Sequence, residues 1–195
     1  MTSSTRLLFF AGSARAKSVN KRLAQLGARI ADANGIAATF ADLGDYPMPV
    51  YDGDLEVGEG PPENARKFKA LMKVHTGIFI ACPEYNAAIT PLLKNTIDWV
   101  SHVRDPDEAP LEVFKTRVFA LGSSSPGGMG GLRGLTTVRQ SLELGLGALV
   151  LPDQFAVPKA HEAYDDNEHL KNKDSQELFK VLIQKLARAA HVLHG

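Results

Sequence analysis

Short, nearly continuous apolar runs alternate along this chain with stretches in which apolar residues recur every three or four positions. The apolar runs have strand length and lie at 7–10, 37–40, 78–81, 118–121 and 149–151. An uninterrupted apolar strand is typical of a sheet that is covered on both faces. The pattern therefore predicts five buried parallel strands.

The stretches between these strands have helical periods. Shared apolar faces are predicted for Val19, Leu23, Leu26 and Ile30, for Leu135, Val138, Leu142 and Leu146, and for Leu178, Leu182, Leu186 and Leu193. Strand and helix in alternation predict an α/β fold, a doubly wound five-stranded parallel sheet of order 2-1-3-4-5 with helices on both faces. Ligands of such sheets bind at the carboxyl ends of the first and third strands. Long loops are expected at 51–62 and 105–110.

A polar loop follows the first predicted strand and leads into a helix. After Gly12 it carries two hydroxyls, a guanidinium and a carboxamide, at Ser13, Ser18, Arg15 and Asn20. Side chains and unpaired backbone N–H groups converge there on one small anion. Only one of the three glycines of a dinucleotide-binding loop is present, so a terminal phosphate is favoured over a bridging pyrophosphate. The simpler alternative is a serine that only caps the helix.

A second polar turn, Pro83-Glu84-Tyr85-Asn86, closes the third predicted strand. A proline-fixed polar turn suits the flat, hydrogen-bonding edge of a heteroaromatic ring, and with the phosphate loop it predicts an FMN pocket. Glu84 has two interpretations, because it would either polarise the ring or cap its own turn.

These segments together resemble the NADPH-dependent FMN reductases of flavodoxin-like fold, a family that includes bacterial quinone, chromate and azo-dye reductases. Gly12, Ser13, Arg15, Ser18 and Asn20 match one family pattern. Residues 83–86 with Leu93, Lys94, Asn95, Ile97, Asp98 and Trp99 match another, and 123–131 is similar to a third flavin-side loop. The implied cofactor-binding residues are Ser13, Arg15, Ser18, Val19, Asn20, Pro83, Glu84, Tyr85, Asn86, Ser124 and Ser125.

The resemblance implies an NAD(P)H-dependent enzyme with FMN as cofactor and NADPH or NADH as co-substrate. Quinones or similar small oxidants, including free flavin, azo compounds or chromate, would be reduced by a ping-pong mechanism. The flavin carries this chemistry, so no catalytic side chain is required. The alternative is a flavodoxin-type electron carrier, and a third candidate is a flavin-free regulatory protein that has kept the fold. Carriers of that type are strongly acidic, whereas this chain has 22 basic and 22 acidic residues.

Composition narrows the remaining function classes. A chain of 195 residues predicts one domain over 1–195. Zero net charge without a basic block argues against nucleic acid as a partner. No apolar run reaches the length of a membrane span, and residues 1–6 lack the apolar core of a signal peptide, so we expect a cytoplasmic, soluble protein. One cysteine fits a reducing compartment.

Three further features each have two interpretations. The helix predicted from Pro91 to Val103 carries a second apolar stripe, Leu92, Trp99 and Val103, which indicates either a homodimer or homotetramer interface or a deeply packed helix in a monomer. Cys82 is either a redox thiol or, as is more usual at an apolar strand end, a small buried hydrophobe. His191 and His194 are either metal ligands or solvated side chains, and no metal is predicted.

Overall fold

The apolar runs form one five-stranded parallel sheet in the computed structural model of this chain, which describes residues 5–194. Its strands are β1 (Arg6–Ala11), β2 (Ala37–Ala41), β3 (Gly77–Ala81), β4 (Val118–Ser124) and β5 (Leu149–Val157). They lie in the order β2-β1-β3-β4-β5, and each neighbouring pair is parallel. The predicted fold class and strand order are confirmed. Residues 1–4, part of the stretch searched for a signal peptide, lie outside the described residues.

Helices cover both faces of this sheet. Residues 5–194 contain the α-helices α1 (Val19–Ala33), α2 (Gly53–Glu59), α3 (Glu63–Lys73), α4 (Pro91–His102), α5 (Glu112–Lys115), α6 (Leu132–Gln140) and α7 (Lys173–His194). Helix α6 continues into a more widely wound segment of π type, Ser141–Gly145. None of the helices within residues 5–194 combines the length and the apolar character that a membrane crossing requires.

Two cores form because successive side chains of a strand point to opposite faces. Leu7 and Phe9 of β1 pack with α1 and α7, whereas Leu8 and Phe10 pack with α3, α4 and α6. Full burial of one such side chain contributes about 1.5–3 kcal/mol to the free energy of unfolding. The two cores therefore fix the register of the sheet and the position of the strand ends.

Two predicted elements differ from the structure. The loop predicted at 51–62 contains α2, which Asp52 caps by accepting hydrogen bonds from the N–H groups of Asp54 (2.8 Å) and Leu55 (3.4 Å). Strand β5 runs to Val157 rather than ending at 151, with an irregular register between Phe119 and Leu121 of β4. The extension could not be predicted, because the residues after Leu151 are partly polar and a strand with a bulge loses its simple apolar pattern.

Two predicted helix faces also need correction. Leu178 and Leu193 of α7 are 64% and 48% exposed, because the buried face of this helix is centred on Phe179 and Ile183. Leu146, which was predicted to extend the apolar face of α6, is only half-buried, since it follows the π-type segment.

The second apolar stripe of α4 is covered by the chain itself. Trp99 and Val103 are buried together with Ala65, and Tyr51 and Leu55 pack against them. The indole N–H of Trp99 donates a hydrogen bond to the carbonyl of Pro49 (2.7 Å). The stripe is therefore part of the core, and its interpretation as a subunit interface is wrong.

Candidate functional site

A cleft of about 80 Å³ lies at the carboxyl ends of β1, β3 and β4. It brings together three loops that are far apart in the sequence. The cleft is lined by Ser13, Arg15, Ser18, Val19, Asn20, Pro83, Glu84, Tyr85, Ser124, Ser125 and Pro126. All the predicted cofactor residues except Asn86 are therefore neighbours in this cleft. Pro126, which lies in the stretch similar to a flavin-side loop but was not among the predicted cofactor residues, lines it as well.

One end of the cleft is formed by the N-terminus of α1. Ser18 caps this helix, and its hydroxyl oxygen accepts a weak hydrogen bond from the N–H of Lys21 (3.4 Å). The first N–H groups of a helix and the helix dipole both favour an anion at this position. Ser18 is therefore a helix cap and a cleft residue at once, so the two interpretations of the loop are compatible.

Arg15 is the cationic side chain of this end. It is exposed, and within residues 5–194 its guanidinium forms neither a hydrogen bond nor an ion pair. The preceding hydroxyl of Ser13 accepts a hydrogen bond from the backbone N–H of Arg15 (3.3 Å), which shapes the loop. A free guanidinium beside a helix N-terminus is suited to bind a phosphate with two parallel hydrogen bonds.

Asn20 joins the first loop to the third. Its Nδ2 donates a hydrogen bond to the carbonyl of Ser124 (2.8 Å), and its Oδ1 accepts one from the N–H of Ser124 (2.9 Å). Both residues are buried. The visible role of Asn20 is thus to fix the end of β4 against the first turn of α1.

The second motif folds into a tight turn at the mouth of the cleft. The N–H and the carbonyl of Tyr85 are both hydrogen-bonded to Ala88, at 3.1 and 3.0 Å. The central residues Asn86 and Ala87 have φ angles of 51° and 63°, as in a type I′ turn. Asparagine adopts this left-handed conformation readily, so Asn86 serves the turn and does not line the cleft. Tyr85 remains 47% exposed at the opening.

Glu84 lines the cleft, and its carboxylate caps α6. Its Oε1 accepts hydrogen bonds from the guanidinium of Arg133, and its Oε2 accepts one from the N–H of Gly134 (3.1 Å). Helix α6 begins after Gly131, which has no side chain to cap it, so Glu84 takes this part. Burial would raise the pKa of Glu84, but the hydrogen bonds from Arg133 and Gly134 outweigh it and lower the pKa. The carboxylate is therefore already neutralised and held.

The floor of the cleft depends on a close approach between β1 and α4. A Cβ on Gly12 would lie only 2.8 Å from the Cβ of Leu93, so no other residue fits there without movement. Thr90 caps α4 and donates a hydrogen bond to the carbonyl of Gly12 (2.8 Å). Cys82 lies below this floor, and burial raises the pKa of its thiol, so it is not a reactive thiolate.

The donor set of this cleft fits FMN. Hydroxyls, the free Arg15 guanidinium and helix N–H groups gather at one end, where an acceptor-only phosphate needs them. Glu84 is the only carboxylate among the lining residues, and its charge is directed to Arg133. The other end, between Pro83 and Pro126, has the aromatic and proline surfaces that suit a flat ring.

Comparison with known proteins agrees with this geometry. The family model for NADPH-dependent FMN reductases matches residues 5–162. The chain belongs to the NADPH-dependent FMN reductase family. It is therefore a flavin-dependent oxidoreductase with FMN as cofactor and a nicotinamide nucleotide as reductant.

Several relatives match over nearly the full length. The chain is 29% identical to a probable NADPH:quinone oxidoreductase of Oryza sativa subsp. japonica, covering 97% of this chain and 91% of that protein. It is 28% identical to an NAD(P)H-dependent FMN reductase of Pseudomonas aeruginosa, covering both proteins completely. Its fold is similar to that of the flavoenzyme NAD(P)H:(acceptor) oxidoreductase FerB from Paracoccus denitrificans, with a TM-score of 0.78, 22% identity and coverage of 98% and 99%.

Proposed function

We propose that this protein is an NAD(P)H-dependent quinone reductase that acts by a ping-pong mechanism. The observation that carries the proposal is the cleft at the strand ends, which combines a phosphate-binding end with the exposed Tyr85 turn. Quinone reductases among the relatives support the choice of oxidant. Azo compounds, chromate and free flavin remain candidate oxidants of the same kind of site.

In this proposal, the residues of the chain bind and orient the cofactor. Ser13, Arg15, Ser18 and the N-terminus of α1 would hold the phosphate of FMN, and residues 83–85 would border its ring. When bound, FMN would supply the two-electron chemistry between the nucleotide and the oxidant. No residue of the cleft is needed as an acid or base, since the one carboxylate, Glu84, is fixed by Arg133.

The shape of the site supports alternation between substrates. Within residues 5–194, the cleft opens beside the Tyr85 turn, and no strand is followed by the Gly-x-Gly-x-x-Gly pattern of a dinucleotide-binding loop. Nucleotide and quinone would therefore use the same mouth in succession. Overlap of the two binding positions is the physical basis of ping-pong kinetics here.

Steady-state kinetics of the FMN-loaded protein test this proposal. Initial rates of NADPH oxidation at several quinone concentrations should give parallel double-reciprocal lines. Intersecting lines would contradict it, because both substrates would then be bound together. Failure of quinone to be reduced, with reduction only of a redox protein partner, would instead support the flavodoxin-type carrier.

We further propose that residues 1–195 act as one FMN-binding domain within a homodimer or homotetramer. Since Trp99 is buried inside the chain, the surface that supports this assembly is the open groove between α4 and α6. There Leu144 is 82% exposed, and Lys94 and Asp98 form an ion pair on the rim. Light scattering of the wild type should report at least a dimer, and a monomer at high concentration would contradict the assembly.

A further inference from the structure

Tyr164 lies in a segment beyond the end of the family match at residue 162 and contacts Ser124, a residue that lines the cleft. Its side chain is buried, and its hydroxyl lies 3.4 Å from the hydroxyl of Ser124. A buried tyrosine hydroxyl is normally hydrogen-bonded, and Ser124 is the partner that residues 5–194 provide. The contact is longer than the usual hydroxyl hydrogen bond of about 2.5–3.0 Å, so it is a weak one. The contact therefore joins this segment to a residue that lines the cleft.

The segment that carries Tyr164 is held firmly in place. Tyr164 pairs with Leu170 as a short antiparallel bridge. The carboxylate of Asp165 accepts hydrogen bonds from the N–H groups of Asn167 and His169, both at 2.9 Å, and so closes the turn between them. This turn brings Glu168 next to helix α1.

Helix α1 clamps the tyrosine ring from the other side. The guanidinium of Arg22 lies 4.4 Å from the centre of the Tyr164 ring, and Arg22 is ion-paired with Glu168. Arg29, about two turns further along the same face of α1, donates a hydrogen bond to the carbonyl of Glu168 (2.8 Å). The ring is thus fixed by contacts that do not involve its hydroxyl, and the hydroxyl has a defined position.

The direction of the hydrogen bond follows from donor supply. A serine hydroxyl has one hydrogen and two lone pairs. If Tyr164 donates to Ser124, the buried tyrosine proton is satisfied and the Ser124 hydrogen is left for the cleft. If Ser124 donated instead, the tyrosine hydrogen would find no acceptor among residues 5–194, which is costly. Burial also raises the pKa of Tyr164, so the phenol keeps its proton.

We propose that Tyr164 is a positioning residue that donates a hydrogen bond to Ser124 and so turns the Ser124 hydroxyl into a donor for the FMN phosphate. The inference rests on the FMN site described above. Asn20 fixes the backbone of Ser124 through two hydrogen bonds. The direction of the Ser124 hydroxyl hydrogen is then set by Tyr164. Hydroxyls linked in this way also polarise one another, which strengthens the outer donor.

The test is a double-mutant cycle on cofactor affinity with Tyr164→Phe and Ser124→Ala. Phenylalanine keeps the ring under Arg22 and removes only the hydroxyl. We expect Tyr164→Phe to raise the Kd for FMN about threefold to tenfold, the range for one neutral hydrogen bond, and to leave the Kd for riboflavin within about twofold. In the Ser124→Ala background, the same substitution should have no further effect.

Tyr51→Phe serves as the matched control, since Tyr51 also donates a hydroxyl hydrogen bond, to Glu56 (2.8 Å), but lies outside the cleft. It should leave the Kd for FMN unchanged, and thermal unfolding of each apoprotein would identify a variant that has lost its fold. If Tyr164→Phe is unstable, the riboflavin-to-FMN affinity ratio of Ser124→Ala alone still decides whether Ser124 faces the phosphate. Unchanged FMN affinity, additive effects in the cycle, or equal losses for both ligands would each overturn the proposal. The binding of FMN to the wild type is measured separately. A wild type that does not bind FMN would contradict the proposed function, whereas normal wild-type binding with an unchanged Tyr164→Phe variant would contradict only the role of Tyr164.

Discussion

Replacing Arg15 by alanine tests the phosphate end of the cleft with little risk to the fold. The guanidinium of Arg15 is exposed and makes no side-chain contact by hydrogen bond or ion pair within residues 5–194, so its removal leaves no internal group unpaired. At about 4 Å in water, one cation attracts each unit of phosphate charge by about 1 kcal/mol. For a group close to a dianion, the expected loss is about 1.5–2 kcal/mol, or about 10-fold to 30-fold in the Kd for FMN.

Riboflavin is the discriminating ligand, because it has the same ring and ribityl chain without the phosphate. Flavin fluorescence titrations should show a large loss for FMN and a change of less than about twofold for riboflavin. The loss should also shrink as salt is raised, since the contact is exposed and screened. Lys17→Ala is the matched control, because Lys17 is an exposed cation of the same loop that does not line the cleft. Equal losses for FMN and riboflavin, or an equal effect of Lys17→Ala, would refute the placement of Arg15 at the phosphate.

Three further substitutions, with Ala88→Gly as a control, test the Tyr85 turn, the core under α4 and the chain before β3. Ala87→Gly should raise the free energy of unfolding by about 0.5–1 kcal/mol in a urea titration, because it relieves the strain of a φ of 63°. The control Ala88→Gly should lower that free energy. A loss of stability in Ala87→Gly would contradict the turn conformation. Trp99→Asp should lower the free energy of unfolding by more than about 4 kcal/mol, and circular dichroism should show an unfolded chain. A folded variant with a changed oligomer size would restore the interface interpretation. Burial lowers the pKa of His75, so the stability that its neutral form provides is complete above the pKa of the unfolded chain, about 6.5, and is lost as the pH falls below that value. His75→Gln should therefore flatten the fall in the free energy of unfolding between about pH 7 and 5. An unchanged slope would contradict this role.

The sheet could be predicted because burial on both faces leaves a simple signal in the sequence. Each of the five strands appears as an apolar run, and the strand order places Gly12 and Pro83 at neighbouring strand ends. The polar residues after these two positions are therefore brought together by topology alone. This is why nearly all the predicted cofactor residues line one cleft.

The errors have a common physical cause, since each depends on contacts between distant parts of the chain. Helix α2 lies in a glycine-rich stretch without buried residues of its own, so only the Asp52 cap indicated it. Because α2 was not predicted, nothing showed that Tyr51 and Leu55 cover the Trp99 face, and the interface and packed-helix interpretations both stayed open. The ion pair between Glu84 and Arg133 joins residues that are 49 positions apart, and a single sequence contains no signal for such a pair.

The most direct test of the central claim is the visible spectrum of the FMN-loaded protein mixed with NADPH under anaerobic conditions. The account predicts that the yellow flavin absorbance is bleached rapidly without any quinone and returns when quinone is added after the nucleotide has been consumed. A protein that binds no FMN, or whose bound flavin keeps its colour in the presence of both NADPH and NADH, would contradict the account.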